Sequence, residues 1–297
     1  MLYNFKGDTD GQLPIGDLVF DKQGNLHGAT QYGGGYGSCN PSFYQHCGTV
    51  FKLSPPKTKG GKWTEKVLHG FKGGMDGANP NGGLVFDGTG AIYGTTSAGG
   101  NTNCTGAGFV GCGTVFELAS AIAKGGAYGE KILRRFLNYP IDGARPLAGL
   151  TFDGNGCLYG TTADGGAYEE GTAFKLAPPR RADNPWIETL LHQFTSGADG
   201  SLPSAALVFS FDGTIYGTAS GGGRVGGGTV FQFRHPSQDG WIFGPLYTFL
   251  GAPDGSYPAS SLIFDKAGNL YGTTQQSGNM GQNCGHDGCG TVFELSP

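Results

Sequence analysis

The sequence predicts an all-β fold, a five-bladed β-propeller of four-stranded antiparallel blades, and three observations carry that expectation. The first is glycine, which fills 59 of 297 positions with no strict Gly-X-Y period, against an average usage of roughly 7%. Such a content opposes long helices, because a glycine in a helix interior costs about 1 kcal/mol relative to alanine. The second is an internal repeat. Leu84-Val85-Phe86-Asp87 followed by Ile92-Tyr93-Gly94-Thr95-Thr96 recurs between Leu18 and Thr30, Leu150 and Thr162, Leu207 and Ala219, and Leu262 and Thr274. His27, Tyr93, Tyr159, Tyr216 and Tyr271 mark one position in five copies, at intervals of 66, 66, 57 and 55 residues. The third is that each copy holds four short strand candidates separated by turns. That is the make-up of a propeller blade, whereas β-helix coils are shorter and leucine-rich repeats need a helical turn.

In the second unit the four candidates are Gly83 to Asp87, Ile92 to Thr96, Gly113 to Leu118 and Lys131 to Phe136. Asp87-Gly88-Thr89-Gly90 and Asp153-Gly154-Asn155-Gly156 tolerate positive φ and close a hairpin between the first two strands. Glu117 to Gly129 allows a short helix through Leu118, Ile122 and several alanines, limited by Gly125-Gly126. The chain begins with Leu2-Tyr3-Asn4-Phe5, which matches fourth strands such as Leu68-His69-Gly70-Phe71 and Leu191-His192-Gln193-Phe194, and it ends on a third strand, Gly290 to Leu295. Residues 2–6 are therefore expected to pair beside 290–295, so that the N-terminal strand joins the last blade and removes an exposed sheet edge. One domain over 1–297 follows, with repeat units near 7–71, 72–136, 137–194, 195–249, and 250–297 plus 1–6.

These units resemble those of the GloVer-type tandem-repeat family, which read GLVFD…G-N-L-Y-G-T-T…G-G…G-T-V-F. The resemblance covers nearly the whole chain. It implies a secreted or surface-anchored bacterial propeller-like protein and transfers no catalytic residue. The first two strands also look like those of NHL-type propellers.

A net charge of −4 and a pI near 5.8 leave no basic footprint for nucleic acid or anionic lipid, so neither partner is expected. No run of about 18 apolar residues exists, so no membrane insertion is expected, and the protein is expected to be a monomer. Cys39/Cys47, Cys104/Cys112 and Cys284/Cys289 each precede a Gly-Thr-Val-Phe stretch. Pairs so close would form disulfides closing short loops in an oxidising compartment, so the chain is expected to be secreted or at the cell surface, with any signal peptide already removed. Zinc ligation competes, since His46 and His286 lie beside these cysteines, but no C-x-x-C spacing accompanies them. Cys157 stands alone and is expected to be a buried, inert thiol.

Residues common to all units serve the unit, and residues found in one unit need an asymmetric explanation. Asp10, Asp76, Asp142, Asp199 and Asp254 are each followed by glycine and, four residues on, by proline. An Asx-type turn explains them; the competing reading is a ring of carboxylates around a central Ca²⁺, the one cofactor the sequence admits. Gly221 to Gly226 has the letters of a dinucleotide loop but leads to a strand, so it offers no phosphate cradle. The first unit alone has Asp17 where others have Gly83, Gly149, Ala206 and Ser261, and His27 where others have tyrosine. Those two could form a general acid/base pair, or His27 could be a satisfied core residue.

The long glycine-rich loops after the second strands define the expected site face. Tyr32, Tyr36 and Tyr44 of the first unit, Asp164, Tyr168 and Glu169 of the third, Arg224 of the fourth and His286 of the last lie on it. Asn79, Arg145 and Tyr257 occupy one repeat position and are expected to approach the axis. Aromatic faces beside amides, carboxylates and an arginine suit a polysaccharide or another polar ligand, with no metal ligand assigned. Two functions stay open. One is a carbohydrate-active hydrolase or lyase using Asp17, His27, Asp164 and Glu169, with carboxylates about 5–10 Å apart. The other is a non-catalytic glycan-binding or cell-surface scaffolding propeller.

Overall fold

The computed structural model describes residues 1–35, 47–101, 104–106, 109–120, 128–138, 140–181, 184–235, 240–278, 284 and 288–296. Five antiparallel sheets follow one another along the chain, and the fold is an all-β, five-bladed propeller. The first blade runs in order through Gln12–Phe20, Leu26–Tyr32, Thr49–Ser54 and Thr64–Gly70. In the second, Ala78–Pro80 and Val85–Phe86 share the inner position beside Ile92–Ala98, followed by Thr114–Ser120 and Tyr128–Arg135. The third comprises Thr151–Phe152, Leu158–Thr162, Thr172–Ala177 and Ile187–Gln193, and the fourth Val208–Phe209, Ile215–Ala219, Thr229–Arg234 and Ile242–Thr248. In the fifth, Ser256–Pro258 and Ile263–Phe264 flank Leu270–Gln276, which pairs with Val292–Leu295.

Two sequence expectations change here. The helix expected within 117–129 does not form at its ends, where Glu117 pairs with Lys131 and Ser120 with Tyr128 as strand; residues 121–127 lie outside the described ones. Closure by residues 2–6 is not shown: residues 1–6 are in no strand. What they do is pack within the first blade, where Phe5 meets Phe51 and the Tyr3 hydroxyl donates to Asp10.

Contacts divide the chain into two compact units. One comprises Met1–Leu137, Ala144–Phe152 and Pro178–Trp186; the other comprises Asn138–Gly143, Asp153–Ala177 and Ile187–Pro297. Each is held by devices that recur with the repeat. In the Tyr-Gly-Thr-Thr segment, Gly94 makes room for a third-strand phenylalanine, because a Cβ there would lie 2.6 Å from Phe116 Cζ. The second threonine bonds a third-strand threonine inside the sheet, as Thr30 does Thr49, Thr96 does Thr114, Thr162 does Thr172 and Thr274 does Thr291, each at 2.8 Å. The first threonine reaches the next blade: Thr95 Oγ1 donates to the Ala148 carbonyl at 2.9 Å and Thr161 Oγ1 to that of Ala205 at 3.2 Å. Sheet propensity alone would supply neither of these buried bonds.

The disulfides Cys104–Cys112 and Cys284–Cys289 are present, and Cys47 is also disulfide-bonded. Such bridges are those of an extracytoplasmic protein. No helix among the described residues is long and apolar enough to cross a membrane. Cys157 is free and buried.

Candidate functional site

The first blade places His27 on Leu26–Tyr32, opposite Val19 on one side and Lys52 on the other. Its ring is 1% exposed and meets Phe86 of the second blade edge-on at 5.0 Å. Nε2 lies 3.0 Å from Oδ2 of Asp21, the residue that opens the hairpin turn. Burial, the largest influence, pushes the imidazole pKa down against the pull of Asp21, so a neutral ring donates its Nε2 proton to the carboxylate. Nδ1 is buried without a hydrogen bond. Burial also opposes ionisation of Asp21, but bonds from the Asn25 side chain, His27 and the Asn25 and Gln23 amides outweigh it and hold the carboxyl down at about 2.

The same constellation recurs with tyrosine in place of histidine. Tyr93 donates to Asp87 at 3.2 Å, Tyr159 to Asp153 at 3.3 Å and Tyr271 to Asp265 at 3.2 Å. Tyr93 meets Phe152, and Tyr159 meets Phe209, edge-on at 5.1 Å, as His27 meets Phe86. His27 therefore does the work of a latch between hairpin turn and second strand. The bond goes to Asp21 and not to Asp17, which is exposed on Gln12–Phe20 and faces Gly83 of the second blade. A register shift between Ile15 and Val19 separates the two.

Around this latch opens a cleft of about 450 Å³, bordered by Phe20, Asp21, Lys22, Thr89 and Tyr128. Phe20 is 64% exposed. A second cleft, about 610 Å³, lies at the corresponding repeat position between the fourth and fifth blades, bordered by Phe211, Asp212, Arg234, His235 and Phe264. Phe264 and Gly268 of the second cleft correspond to Phe86 and Gly90 of the first, and Tyr216 to His27. Phe211 is fully exposed, and Ser210 donates to Asp212. Both clefts open where the chain turns from first to second strand, the end opposite the glycine-rich loops expected to carry the site.

A family model described as the Gloeobacter/Verrucomicrobia repeat matches residues 1–231 and 103–297. The chain belongs to this repeat family. No curated protein matches the sequence. Among solved structures it is similar to a gluconolactonase from Xanthomonas campestris, at 16% identity and TM-score 0.47 over 86% of this chain and 67% of that one. It is also similar to a protein of unknown function from Dyadobacter fermentans, at 13% identity and TM-score 0.49 over 98% and 86% of the two chains. A third is the PQQ-bound aldose sugar dehydrogenase from Streptomyces coelicolor, at 12% identity and TM-score 0.47 over 97% and 96%.

Within this Gloeobacter/Verrucomicrobia repeat chain, the loop face presents the remaining expected residues in several environments. Asp164 is half-buried, Tyr168, Glu169 and Arg224 are exposed, and Tyr32 is half-buried at the end of its strand. Tyr36, Tyr44 and His286 lie outside the described residues. Asn79, Arg145 and Tyr257 share left-handed φ values of 56°, 54° and 59°, as do Leu13 and Leu202 at 55° and 53°. Each precedes the repeat proline, and such a backbone costs about 1–3 kcal/mol. Bonds from the preceding loop impose it, since the Asn79, Arg145 and Tyr257 amides donate to the carbonyls of Cys47, Cys112 and Gly227 at 2.8 to 2.9 Å. The conformation is a property of the repeat, and only the side chain varies.

The turn aspartates are also engaged locally. Asp10, Asp76, Asp199 and Asp254 each accept the amide four residues upstream, at 2.7 to 3.0 Å, so the carboxylate ties back to the end of the preceding segment, where an Asx-type turn would take the amide two residues on. Sequence reasoning missed Asp21 and the two clefts. The signal was present, because every unit with tyrosine at the His27 position and a bond at this latch has an aspartate six residues before it.

Proposed function

We propose that this chain is a secreted glycan-binding propeller whose clefts at the hairpin-turn end each take sugar units of a polysaccharide. The observation that carries this is that clefts at equivalent places beside two hairpin turns each expose an aromatic ring beside charged groups, although the rings come from different repeat positions, Phe20 from the end of its first strand and Phe211 from two positions further along, in the turn. Phe20 stands with Asp21 and Lys22, and Phe211 with Asp212, Arg234 and His235. Sugar rings stack their apolar faces on aromatic side chains while their hydroxyls take directional bonds. Repetition favours binding over a single reaction centre, and the His27–Asp21 pair, locked into the latch, is poorly placed to shuttle protons. The disulfides support export.

Hydrolysis or lysis at the loop face is a second reading, favoured by exposed Glu169 at φ 61° in the same loop as half-buried Asp164. The test is a polysaccharide panel scored for both binding and reducing-end release, with the parent, Phe211→Ala and Glu169→Gln. Binding without release, weakened about tenfold by Phe211→Ala through loss of roughly 1–1.5 kcal/mol of stacking, supports the proposal. Release abolished by Glu169→Gln would move the function to the loop face. Failure to bind any glycan would remove the carbohydrate reading.

A further inference from the structure

The outer edges of the first two blades bring together three side chains that glycan binding does not use. His69 lies on Thr64–Gly70, Asp76 in the 3-10 turn Gly74–Asp76 that follows, and Glu130 on Tyr128–Arg135 of the second blade. His69 Nε2 is 3.7 Å from Asp76 Oδ2 and 3.5 Å from Glu130 Oε1, and the three donor atoms lie within 4.8 Å of one another. The His69 and Glu130 side chains are 13% and 11% exposed. Nε2 of His69 and Oε1 of Glu130 are buried and make no hydrogen bond.

The two His69 separations are too long for hydrogen bonds and are close to those between ligands around one small cation, while the Asp76 and Glu130 carboxyls bond each other. With metal–donor distances of about 2.0–2.2 Å, a tetrahedron has edges of about 3.3–3.6 Å. The repeat supplies an internal comparison. His192 and Asp199 hold the positions of His69 and Asp76, and there Nε2 closes to 2.8 Å from the carboxylate. Phe243 stands in the place of Glu130 and stacks on that imidazole at 3.8 Å. Tyr3, Asp10 and Glu65 form another version, in which the phenol closes to 2.6 Å from Asp10. Only where histidine and glutamate coincide does the ring stand off from both carboxylates.

The surroundings hold the donors in place. The Lys72 amide donates to Asp76 Oδ2 at 2.7 Å, the His69 ring meets Phe71 edge-on at 4.7 Å, and Arg135 turns its Nε to the Met75 carbonyl at 3.0 Å. One imidazole and two carboxylates suit Zn²⁺, whereas Ca²⁺ and Mg²⁺ take larger all-oxygen sets. We infer that His69, Asp76 and Glu130 form a three-ligand Zn²⁺ site, with a fourth position open to water, that clamps the outer edge of the first blade to the second.

The test is metal content of the full chain, stripped with chelator and dialysed against Zn²⁺, for the parent, His69→Gln, Glu130→Gln and His192→Gln. About one Zn²⁺ per chain in the parent and in His192→Gln, with affinity reduced at least tenfold in the other two, is the expected result. Absence of saturable binding in the parent, or full retention in both His69→Gln and Glu130→Gln, would overturn the assignment. Should those variants not fold, X-ray absorption of the Zn²⁺-loaded parent decides: one imidazole among oxygen donors supports the site, and a thiolate-containing or all-oxygen shell refutes it.

Discussion

The ring of Phe5 meets that of Phe51 at 4.9 Å, the contact that Phe71 makes with Phe116 at 5.2 Å, Phe194 with Phe231 at 5.1 Å and Phe249 with Phe293 at 5.1 Å. In those three pairs the first ring ends a fourth strand and the second belongs to the next blade. Tyr3 completes the likeness, since it donates to Asp10 at 2.6 Å as Tyr247 does to Asp254 at 2.7 Å, each across seven residues. The first residues thus make, against the first blade, side-chain contacts of the kind that the ends of the fourth strands make against the next blade. Phe5→Ala is expected to cost about 2–4 kcal/mol by exposing Phe51, Leu26 and Leu53, and Tyr3→Phe about 1–2 kcal/mol by removing a donor from nearly buried Asp10. Urea denaturation of both variants measures these losses; stabilities equal to the parent would show the segment to be dispensable.

His27 takes a tyrosine's place in the latch, so His27→Tyr is expected to be at least as stable as the parent and His27→Ala less stable by about 2–3 kcal/mol. The pH dependence follows from the direction of the shift. Burial lowers the folded pKa of His27 below its unfolded value, so the unfolded chain takes up the proton first. Its contribution is therefore present above about pH 6.5 and is lost as pH falls below it. Thermal melts between pH 7 and 5 should fall more steeply for the parent than for His27→Tyr; parallel slopes would contradict the buried, neutral ring.

The architecture was legible because the repeat is spelled in residues fixed by their surroundings, such as Gly94 under Phe116 and the aspartate that opens four of the five hairpins, with Ser210 in the fourth. The paired cysteines Cys104/Cys112 and Cys284/Cys289 were legible from spacing alone. What stayed hidden was side-chain partnership. Asp17 and His27 are in one hairpin, but the shift in register between Ile15 and Val19 gives the imidazole to Asp21. Glu130 of the second blade comes within 3.5 Å of His69 of the first, a relation between blades that unit-by-unit alignment does not display. The clefts were hidden for a similar reason: aromatic and polar residues were counted in the long loops, whereas the clefts arise from short turns of adjacent blades.

Thr96 and Thr114 bond each other at 2.8 Å with both side chains fully buried, and Thr96 also donates to the Ala98 carbonyl at 2.9 Å. Thr114→Val keeps the shape and removes one hydroxyl, so a loss of about 1–3 kcal/mol is expected from the partner left unsatisfied. The fourth blade already carries Ala219 at the Thr96 position, opposite Thr229, which donates instead to the Asp199 carbonyl at 3.2 Å. Thr229→Val should therefore cost less, since no second hydroxyl is stranded with it. Chemical denaturation of the two variants compares them directly, and equal losses would deny the pair its special standing.

Glu65 gives the opposite pH dependence to His27. Burial first, and the charge of Asp10 second, raise its carboxyl from 4.5 to about 7. The folded state holds this proton more tightly than the unfolded chain, so the stability it contributes is complete below about pH 4.5 and is lost as pH rises through 7. Glu65→Gln keeps the size and the capacity to donate a hydrogen bond but cannot ionise. Between pH 5 and 8 the parent is expected to lose about 1–2 kcal/mol that Glu65→Gln retains, a figure reduced for the partial solvent screening at this edge. Urea denaturation at the two pH values isolates the effect as a difference of differences, in which the other titrating groups, present in both proteins, cancel. If parent and variant changed in step, Glu65 would be ionised in the folded chain across this range, contrary to the upward shift that its burial and Asp10 impose.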